Sequence, residues 1–332
     1  MTDRTAGALF GLAIGDALGA EIEFLTLDTI RYRHPPNGPL EPPGDPARVT
    51  DDTQLALAVA EALIAAPKPL APSSLADALC TAFKAWFNAP ENNRAPDSAC
   101  LNSCEALEND TPWPEAGDIS SMSSGANMRV APVGLLGLDA MTQSAVAQLQ
   151  AAITHCHPVA LTAADLTAHI VATLHNGINP RDLLREARAY IQSQRTTYHA
   201  DWLGDIWKRV YMMRSAEEYI AYGWDACQTM LDKVEQATVI PNYEADPADV
   251  IGAGWQADEA LGTGLWCFLL YAHDPVAAVR RAAFTSGDSD TLAAIAGAFA
   301  GAHHGVSAWP ADWVARLEYK DRIDAVITGL AN

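Results

Sequence analysis

Apolar residues recur every three or four positions along most of this chain, which is the spacing of one face of an α-helix. Alternating Val, Ile and Thr residues bounded by hairpin turns, the pattern of a half-buried sheet, are nearly absent. We therefore predict an all-α fold. Eight segments show the helical pattern most clearly: 53–66, 74–87, 144–153, 162–175, 180–194, 257–270, 275–285 and 291–302.

Three stretches interrupt this pattern. Residues 35–46 contain six prolines, and residues 89–96 and 110–127 are rich in Pro, Ser, Asn and Gly, so all three are predicted loops. None of them separates two halves of different composition. We expect one compact domain over residues 1–332.

The N-terminal segment GALFGLAIGDALGA predicts a helix with an unusual face. Gly7, Gly11, Gly15 and Gly19 follow one another at intervals of four, so they lie on one side and let another backbone approach closely. Asp16 stands inside the same helix. It either caps a neighbouring helix or points into a polar site, and the sequence leaves both alternatives open.

Acidic residues are concentrated where helices begin or end. A helix N-cap needs one Asp or Ser and contributes on the order of 1 kcal/mol, yet two predicted helices each begin with two aspartates and a hydroxyl. Capping leaves the second aspartate of each pair unexplained. The three acidic segments are VTDDTQ with Asp51 and Asp52, GDSDT with Asp288 and Asp290, and GDALGAEIEF with Asp16, Glu21 and Glu23.

Carboxylates and hydroxyls are the ligands that Mg²⁺ and Mn²⁺ prefer. Two acidic turns that faced each other would hold two such cations about 3.5–4 Å apart, the usual separation in two-metal sites. The surplus aspartates therefore predict a metal centre between the starts of two helices.

Composition narrows the possible functions. The 332 residues are 49% hydrophobic and 19% charged, with a formal net charge of −20. Such a charge argues against general binding to nucleic acid or to an anionic membrane. No apolar run approaches the ~20 residues of a membrane span, and Asp16 interrupts the only run that resembles a signal peptide. Six scattered cysteines suggest reduced thiols, so we expect a cytoplasmic protein.

Two further segments carry polar chemistry. The Ser- and Gly-rich stretch SMSSGANMRVAPVG, residues 121–134, either forms a backbone nest for phosphate or is an ordinary loop. The segment ITHCHP contains His155 and His157, for which polar contacts to a substrate, a helix end and a structural role all stay open, with a metal site less favoured.

Six segments in this order resemble the ADP-ribosylglycohydrolase family: GALFGLAIGDALGAEIEF, TDDTQLALAVAEAL, SSGANMRVAPVGLL, THCHP, GWQADEALGTGLWCFLL and SGDSDTLAAIAGAFAG. The resemblance extends from Gly7 to about Gly305. It implies a compact orthogonal multi-helix fold and a binuclear Mg²⁺ or Mn²⁺ centre. It also implies hydrolysis of the bond between ADP-ribose and a protein side chain or other acceptor, with ADP-ribose as product.

The resemblance assigns roles by position in these motifs. It implies that Glu23 is the acidic residue of the Glu-Phe pair at the metal site. As a hypothesis on the mechanism, we expect Glu23, Asp51 and Asp290 to serve catalysis, with Glu23 or a ligating aspartate completing the deprotonation of water. The implied metal ligands are Thr50, Asp51 and Asp52 on one side and Asp288, Asp290 and Thr291 on the other. The implied contacts to the diphosphate and ribose are Ser124, Gly125, Asn127, Met128 and Arg129, with His155 also touching substrate.

The chain departs from the family pattern in places. Where some arginine-directed members have an aspartate before the loop and an asparagine at its start, this chain has Ser121 and Ser124, with Asp118 the nearest acid upstream. Position 258 is Asp where many members have Glu. The acceptor is therefore open among arginine, serine, a nucleobase and a small molecule, with arginine the first choice.

Two other functions compete with this hypothesis. One is a non-catalytic protein on the same fold that binds ADP-ribose or serves a structural role. The other is a metal-dependent phosphoesterase that acts on nucleotides. The presence of both acidic motifs favours an active hydrolase, and the reaction product distinguishes the three possibilities.

Overall fold

The computed structural model describes residues 2–211 and 213–331. Within these ranges the chain forms helices, and its β pairing is limited to isolated bridges. The prediction of an all-α fold is confirmed. The α-helices are α1 (Thr2–Gly19), α2 (Leu27–Arg33), α3 (Asp51–Ala65), α4 (Pro72–Phe87), α5 (Ser98–Glu108), α6 (Trp113–Ala116), α7 (Ala131–Gly134), α8 (Ala140–Ala152), α9 (Pro158–His175), α10 (Leu183–Gln194), α11 (Ala200–Leu203), α12 (Ala216–Val239), α13 (Pro247–Val250), α14 (Ala257–Leu270), α15 (Pro275–Ala283), α16 (Ser289–His304), α17 (Ala311–Arg316) and α18 (Lys320–Leu330). Short 3₁₀ helices span Ser124–Ala126, Pro180–Asp182, Ile206–Arg209 and Val306–Ala308.

Each of the eight predicted segments lies on an observed helix, and the differences are at the ends. Segment 257–270 coincides with α14. The helix predicted over 275–285 is shorter in the structure. α15 ends at Ala283, because the backbone N–H of Thr285 bonds to the Ala283 carbonyl in a tight turn. Segment 180–194 begins as a 3₁₀ turn before α10.

The sequence analysis missed the longest helix, α12. Its surface is rich in polar and charged side chains, and Gly223 falls within it. A narrower apolar stripe was nevertheless present, since Tyr219, Ile220, Trp224 and Cys227 are all buried at helical spacing. A search for one apolar face, rather than for a mostly apolar segment, would have found it.

Apolar faces of several helices meet at the centre of the molecule. Trp224, Trp266, Phe268 and Phe299 are among its largest fully buried side chains, and they come from α12, α14 and α16. Despite this apolar character, no helix in residues 2–211 or 213–331 combines the length and hydropathy needed to cross a bilayer.

The glycine face of α1 packs against α16. A Cβ on Gly11 would lie 2.2 Å from the Gly297 carbonyl oxygen, and one on Gly301 would lie 1.9 Å from that of Gly7. The two backbones are therefore in direct contact and antiparallel, since Gly7 faces Gly301 and Gly19 faces Asp290. This register brings the end of α1 to the start of α16.

We predict that Gly11→Ala destabilises the protein by roughly 1–3 kcal/mol, because backbone atoms on α16 cannot yield to the added methyl group. Gly329→Ala is the matched control. A Cβ there would meet the end of the Ile64 side chain at 2.5 Å, which can rotate away, and alanine gains helix propensity. Denaturant unfolding of both variants measures the difference. Equal stabilities would contradict this account of the α1–α16 contact.

Candidate functional site

A pocket of about 390 Å³ opens where the starts of α3 and α16 meet the turn that follows α1. We call it the acidic pocket, because five carboxylates from three elements and a sixth from the start of α5 surround it. Its walls are Glu23, Phe24, Asp51, Asp52, Ala95, Asp97, Ser123, Ser124, Met128, Trp255, Asp288, Asp290 and Thr291.

The first wall is the N-terminus of α3. Thr50 occupies the N-cap position but its side chain makes no capping hydrogen bond. Asp16 on α1 supplies the cap instead, since its Oδ1 accepts from the backbone N–H of Thr50 at 2.9 Å and its Oδ2 from that of Thr53 at 3.0 Å. Of the two alternatives for Asp16, capping of a neighbouring helix is confirmed. Asp51 and Asp52 are left free to face the pocket.

The second wall is the N-terminus of α16. Asp288 stands at the N-cap position without capping the helix, and its Oδ2 accepts a hydrogen bond from Ser124 Oγ at 3.0 Å. Asp290 accepts from the backbone N–H of Thr291 at 3.0 Å. Asp288 and Asp290 thus point into the pocket beside residues 121–134, which we call the Ser-rich loop.

Glu23 joins the two walls. It lies half-buried in the turn after α1, and one carboxylate oxygen each from Glu23, Asp288 and Asp290 fall within 4.8 Å of one another. The antiparallel register of α1 and α16 explains this placement, because it puts Gly19 directly against Asp290. Three segments that are far apart in sequence therefore meet at one point.

Burial, and then mutual repulsion, raises the pKa values of six acids at this site. Burial, followed by the negative charges of Asp290, Asp51 and Asp16, raises the pKa of Glu23 to about 9. Burial and Asp290 raise the pKa of Asp16 to about 7. Burial is also the main cause of the raised pKa values of Asp51, Asp52, Asp288 and Asp290. No Lys, Arg or His is among the lining residues to offset the negative charge of these acids.

The arrangement fits a divalent cation. Asp52 Oδ1 is buried and has no hydrogen-bond partner, and such an atom is costly unless a cation meets it. The surrounding donors are oxygens, which hard cations prefer. Residues at this site could therefore hold a metal ion.

Thr50 contacts another predicted ligand without lining the acidic pocket itself. Its Oγ1 lies 2.9 Å from Asp16 Oδ1 and 3.1 Å from Asp52 Oδ2. The residue lines a neighbouring cavity rather than the acidic pocket. Its hydroxyl links the cap to a predicted metal ligand.

The residues predicted to wrap the diphosphate and ribose fall into two groups in the structure, those that line the pocket and those that lie behind it. Ser124 and Met128 line the pocket, whereas Gly125 and Asn127 are buried behind it. Asn127 Nδ2 donates to the Ala257 carbonyl at 2.9 Å and ties the loop to α14. A Cβ on Gly125 would come within 2.8 Å of the Asp97 carboxyl carbon, so this position requires glycine.

Arg129 is also placed behind the loop rather than in the pocket. Its side chain is fully buried, donates to Gln150 Oε1 at 2.9 Å and to Thr154 Oγ1 at 2.8 Å, and stacks over the Phe83 ring. A guanidinium with these partners cannot reach a diphosphate in the pocket. The physical role of Arg129 here is to brace the loop against α8.

His155 lies one layer beneath the pocket wall. It is fully buried, with Nδ1 2.8 Å from Thr154 Oγ1 and Nε2 2.8 Å from Ser123 Oγ. Its Nε2 also lies 3.3 Å from Asp97 Oδ1. Direct contact with a substrate is blocked, and Ser123 and Asp97 present the surface that His155 supports.

The sequence analysis missed Asp97, which differs from the other acids of the pocket. Burial alone would raise its pKa, but His155 and the hydrogen bonds from Ser123 and the Cys100 N–H outweigh burial and hold the pKa below its usual range. Asp97 thus stays ionised. It follows a Pro-rich stretch and caps α5, so its local sequence indicated only a helix start.

Two aromatic residues at the pocket mouth were also missed. Phe24 and Trp255 stack with ring centroids 6.0 Å apart and an interplanar angle of 9°. Both are exposed, Phe24 by 70% and Trp255 by 43%. The signal was present in the sequence, since each residue lies within a recognised motif.

The family model for ADP-ribosylglycohydrolase matches residues 1–332. The chain therefore belongs to the ADP-ribosylglycohydrolase family and is a hydrolase. Its fold is similar to that of a solved structure described as an ADP-ribosylglycohydrolase-related protein complex, with a TM-score of 0.68, 25% identity, and coverage of 99% of this chain and 97% of the other.

Three curated relatives are similar over nearly the whole chain. An ADP-ribosylarginine hydrolase Tri1 from Pseudomonas putida (strain GB-1) is 28% identical, covering 97% of this chain and 76% of the relative. The ADP-ribosyl-[dinitrogen reductase] glycohydrolase of Rhodospirillum rubrum is 26% identical, covering 96% and 91%. The ADP-ribosylhydrolase ARH3 of Homo sapiens is 25% identical, covering 98% and 92%.

Proposed function

We propose that this protein hydrolyses the N- or O-glycosidic bond between ADP-ribose and a side chain of a mono-ADP-ribosylated protein, with arginine as the first candidate acceptor. The observation that carries the proposal is the convergence of Glu23 with the acidic starts of α3 and α16 in one pocket. Similarity to relatives named for ADP-ribosylarginine and for ADP-ribosylated dinitrogen reductase supports the choice of substrate.

We propose two Mg²⁺ or Mn²⁺ ions as cofactors. Thr50, Asp51 and Asp52 would hold one side of the pair. Asp288, Asp290 and Thr291 would hold the other side. When bound, the ions lower the pKa of water and supply positive charge for the ribose hydroxyls.

The chain's own residues perform the remaining steps. Cleavage passes through an oxocarbenium-like state in which the ribose carbon becomes positive, and the ionised Asp97 and the acidic cluster stabilise that charge. With the cations bound, the pKa of Glu23 would fall from its raised value, and its carboxylate would then take a proton from the attacking water. The water oxygen bonds to the ribose carbon while the carbon–acceptor bond breaks. The acceptor leaves with its bonding electrons and gains the proton that Glu23 took from the water.

The Ser-rich loop would hold the rest of the ligand. Ser124 and Met128 on the pocket wall contact the diphosphate and ribose. Gly125, Asn127, Arg129 and His155 act indirectly, by fixing the shape of that wall. The deep burial and the hydrogen bonds of Asn127 and Arg129 support this division of roles.

We further propose that residues 1–332 act as one domain in the cytoplasm. The acidic pocket needs α1, α3 and α16 together, which supports a single folding unit. All six cysteines are free thiols, five of them buried, which is typical of a reducing compartment.

The test is incubation of the purified protein with a protein mono-ADP-ribosylated on arginine. We expect free ADP-ribose with Mg²⁺ or Mn²⁺, none with EDTA, and recovery when the metal is restored. Release of AMP or phosphate would instead identify a phosphoesterase. Binding of ADP-ribose without any product would identify a non-catalytic protein.

A further inference from the structure

The segment before α3 is tied to the C-terminal part of the chain. The backbone N–H of Glu318 donates to the Ala47 carbonyl at 2.9 Å, and the N–H of Ala47 donates to the Arg316 carbonyl at 2.7 Å. These two bonds hold residues 47–49 alongside the connection between α17 and α18. The three residues before the N-cap of α3 are therefore fixed by a segment near the other end of the chain.

The side chains of Glu318 and Arg94 strengthen this connection. Glu318 Oε2 accepts from the backbone N–H of Val49 at 3.1 Å, and Glu318 Oε1 accepts from Arg94 Nη2 at 2.9 Å. Arg94 Nη1 donates to Glu318 Oε2 and also to the Val49 carbonyl. One ion pair thus binds both polar groups of the Val49 backbone. We call this set of contacts the 94–318 clamp.

The clamp is an ion pair that is largely shielded from water. Only 13% of the Arg94 side chain and 18% of the Glu318 side chain are exposed. Burial would raise the pKa of Glu318, but the hydrogen bonds from Arg94 and from the Val49 N–H outweigh burial and lower it. A shielded pair bonded through two nitrogens holds its geometry more firmly than an exposed pair does. Loss of either partner leaves the other charge unpaired.

Backbone strain lies beside both members of the clamp. Ala95, directly after Arg94, has a φ of 52°, and Tyr319, directly after Glu318, has a φ of 58°. In the part of the chain that the structure describes, they are two of three non-glycine residues with a positive φ. A left-handed backbone is unfavourable for a residue with a Cβ and persists only where surrounding contacts hold it. The clamp supplies such contacts on both sides.

The clamp reaches the acidic turn of α3 by two routes. Val49 directly precedes the N-cap of that helix. On the other side, Asp97 follows Arg94 in the same short segment, and its backbone N–H donates to Asp51 Oδ2 at 3.1 Å. Ala95 lies between them and lines the acidic pocket. Release of Arg94 would let this segment relax and would move the donor that orients Asp51.

We propose that Arg94 and Glu318 are positioning residues for the divalent-cation centre, because they hold Asp51 and Asp52 where a cation can bind. Neither side chain lines the acidic pocket, so both act through the turn that they hold. This inference rests on the proposed metal centre and deepens it. Loss of a group that orients metal ligands typically lowers metal affinity by about ten- to a hundredfold.

The experiment is calorimetric titration of the whole protein with Mn²⁺ for Glu318→Gln and Arg94→Gln. Either change should raise the dissociation constant for Mn²⁺ by about tenfold or more. Glu61→Gln is the matched control. Glu61 accepts two hydrogen bonds from Arg322, so this pair also joins α3 to α18, but it lies toward the C-terminal end of α3, away from the acidic turn. Its Mn²⁺ affinity should stay within about twofold of the native value.

Denaturant unfolding of the same variants separates positioning from stability. A lower free energy of unfolding with a native Mn²⁺ dissociation constant in both clamp variants would show a purely structural role, and would overturn this inference while leaving the proposed function intact. A native protein that binds no Mn²⁺ would refute the proposed cofactor together with the inference.

A milder variant covers the case in which the Gln variants do not fold. Arg94→Lys keeps the positive charge but has one nitrogen in place of the planar fork, so it cannot make all the contacts of the clamp. It should fold and still weaken Mn²⁺ binding several-fold. Native Mn²⁺ affinity in a folded Arg94→Lys protein would refute the role of the clamp.

Discussion

Asp290→Asn is expected to abolish release of ADP-ribose, lowering kcat/KM by at least about a thousandfold. Asp290 is buried at the centre of the cluster, with its charge acting on Glu23, Asp16, Asp51 and Asp52. An amide there keeps the size of the side chain but removes one of the proposed anionic ligands. We expect metal binding, measured by calorimetry with Mn²⁺, to fall with activity.

The control for this variant is Asp321→Asn. Asp321 occupies the same second position of its helix, α18, but is exposed. It should match the native protein in turnover and metal content. Near-normal hydrolysis together with a full metal complement in Asp290→Asn would refute the placement of the metal centre.

Glu23→Gln should lower kcat by about a hundred- to ten-thousandfold, the usual contribution of a general base. Binding of ADP-ribose should change only a few-fold, because Glu23 lies at the edge of the pocket and the loop of Ser124 and Met128 forms its other wall. Pre-steady-state turnover and calorimetric titration with ADP-ribose measure the two quantities separately.

Glu105→Gln, an exposed change on α5, is the control for the loss of a glutamate charge. A parallel loss of kcat and ADP-ribose affinity in Glu23→Gln would show that Glu23 binds the ligand rather than acting on the water. A variant with native turnover would remove Glu23 from the reaction altogether.

The helices and the acidic turns were predictable because both depend on neighbours in sequence. Apolar spacing located α3, α14 and α16, and the surplus of aspartates over what a cap needs marked Asp51 and Asp290 as unusual. The structure supplies the reason for that surplus: the cap of α3 comes from α1, so the aspartates of α3 are not used for it.

The remaining parts of the site depend on contacts between distant segments. Asp97 is held at the pocket by contacts with distant segments: its backbone N–H donates to Asp51 Oδ2 at 3.1 Å, and its Oδ1 lies 3.3 Å from His155 Nε2. Arg129 lies within a recognised loop motif, yet its side chain donates hydrogen bonds to Gln150 and Thr154 and therefore lies away from the pocket. Contacts with residues distant in sequence, rather than the local sequence, decide on which side of a loop such a side chain lies.

The packing of α1 against α16 also sets when the enzyme becomes competent during synthesis. A ribosome completes Asp51 and Asp52 long before it reaches Asp290, and at about 5–20 residues per second the delay is on the order of ten seconds or more. Through that interval the glycine face of α1 has no backbone to cover it. Emergence of α16 supplies that backbone together with Asp288 and Asp290, so a chain that stops before α16 lacks one wall of the acidic pocket.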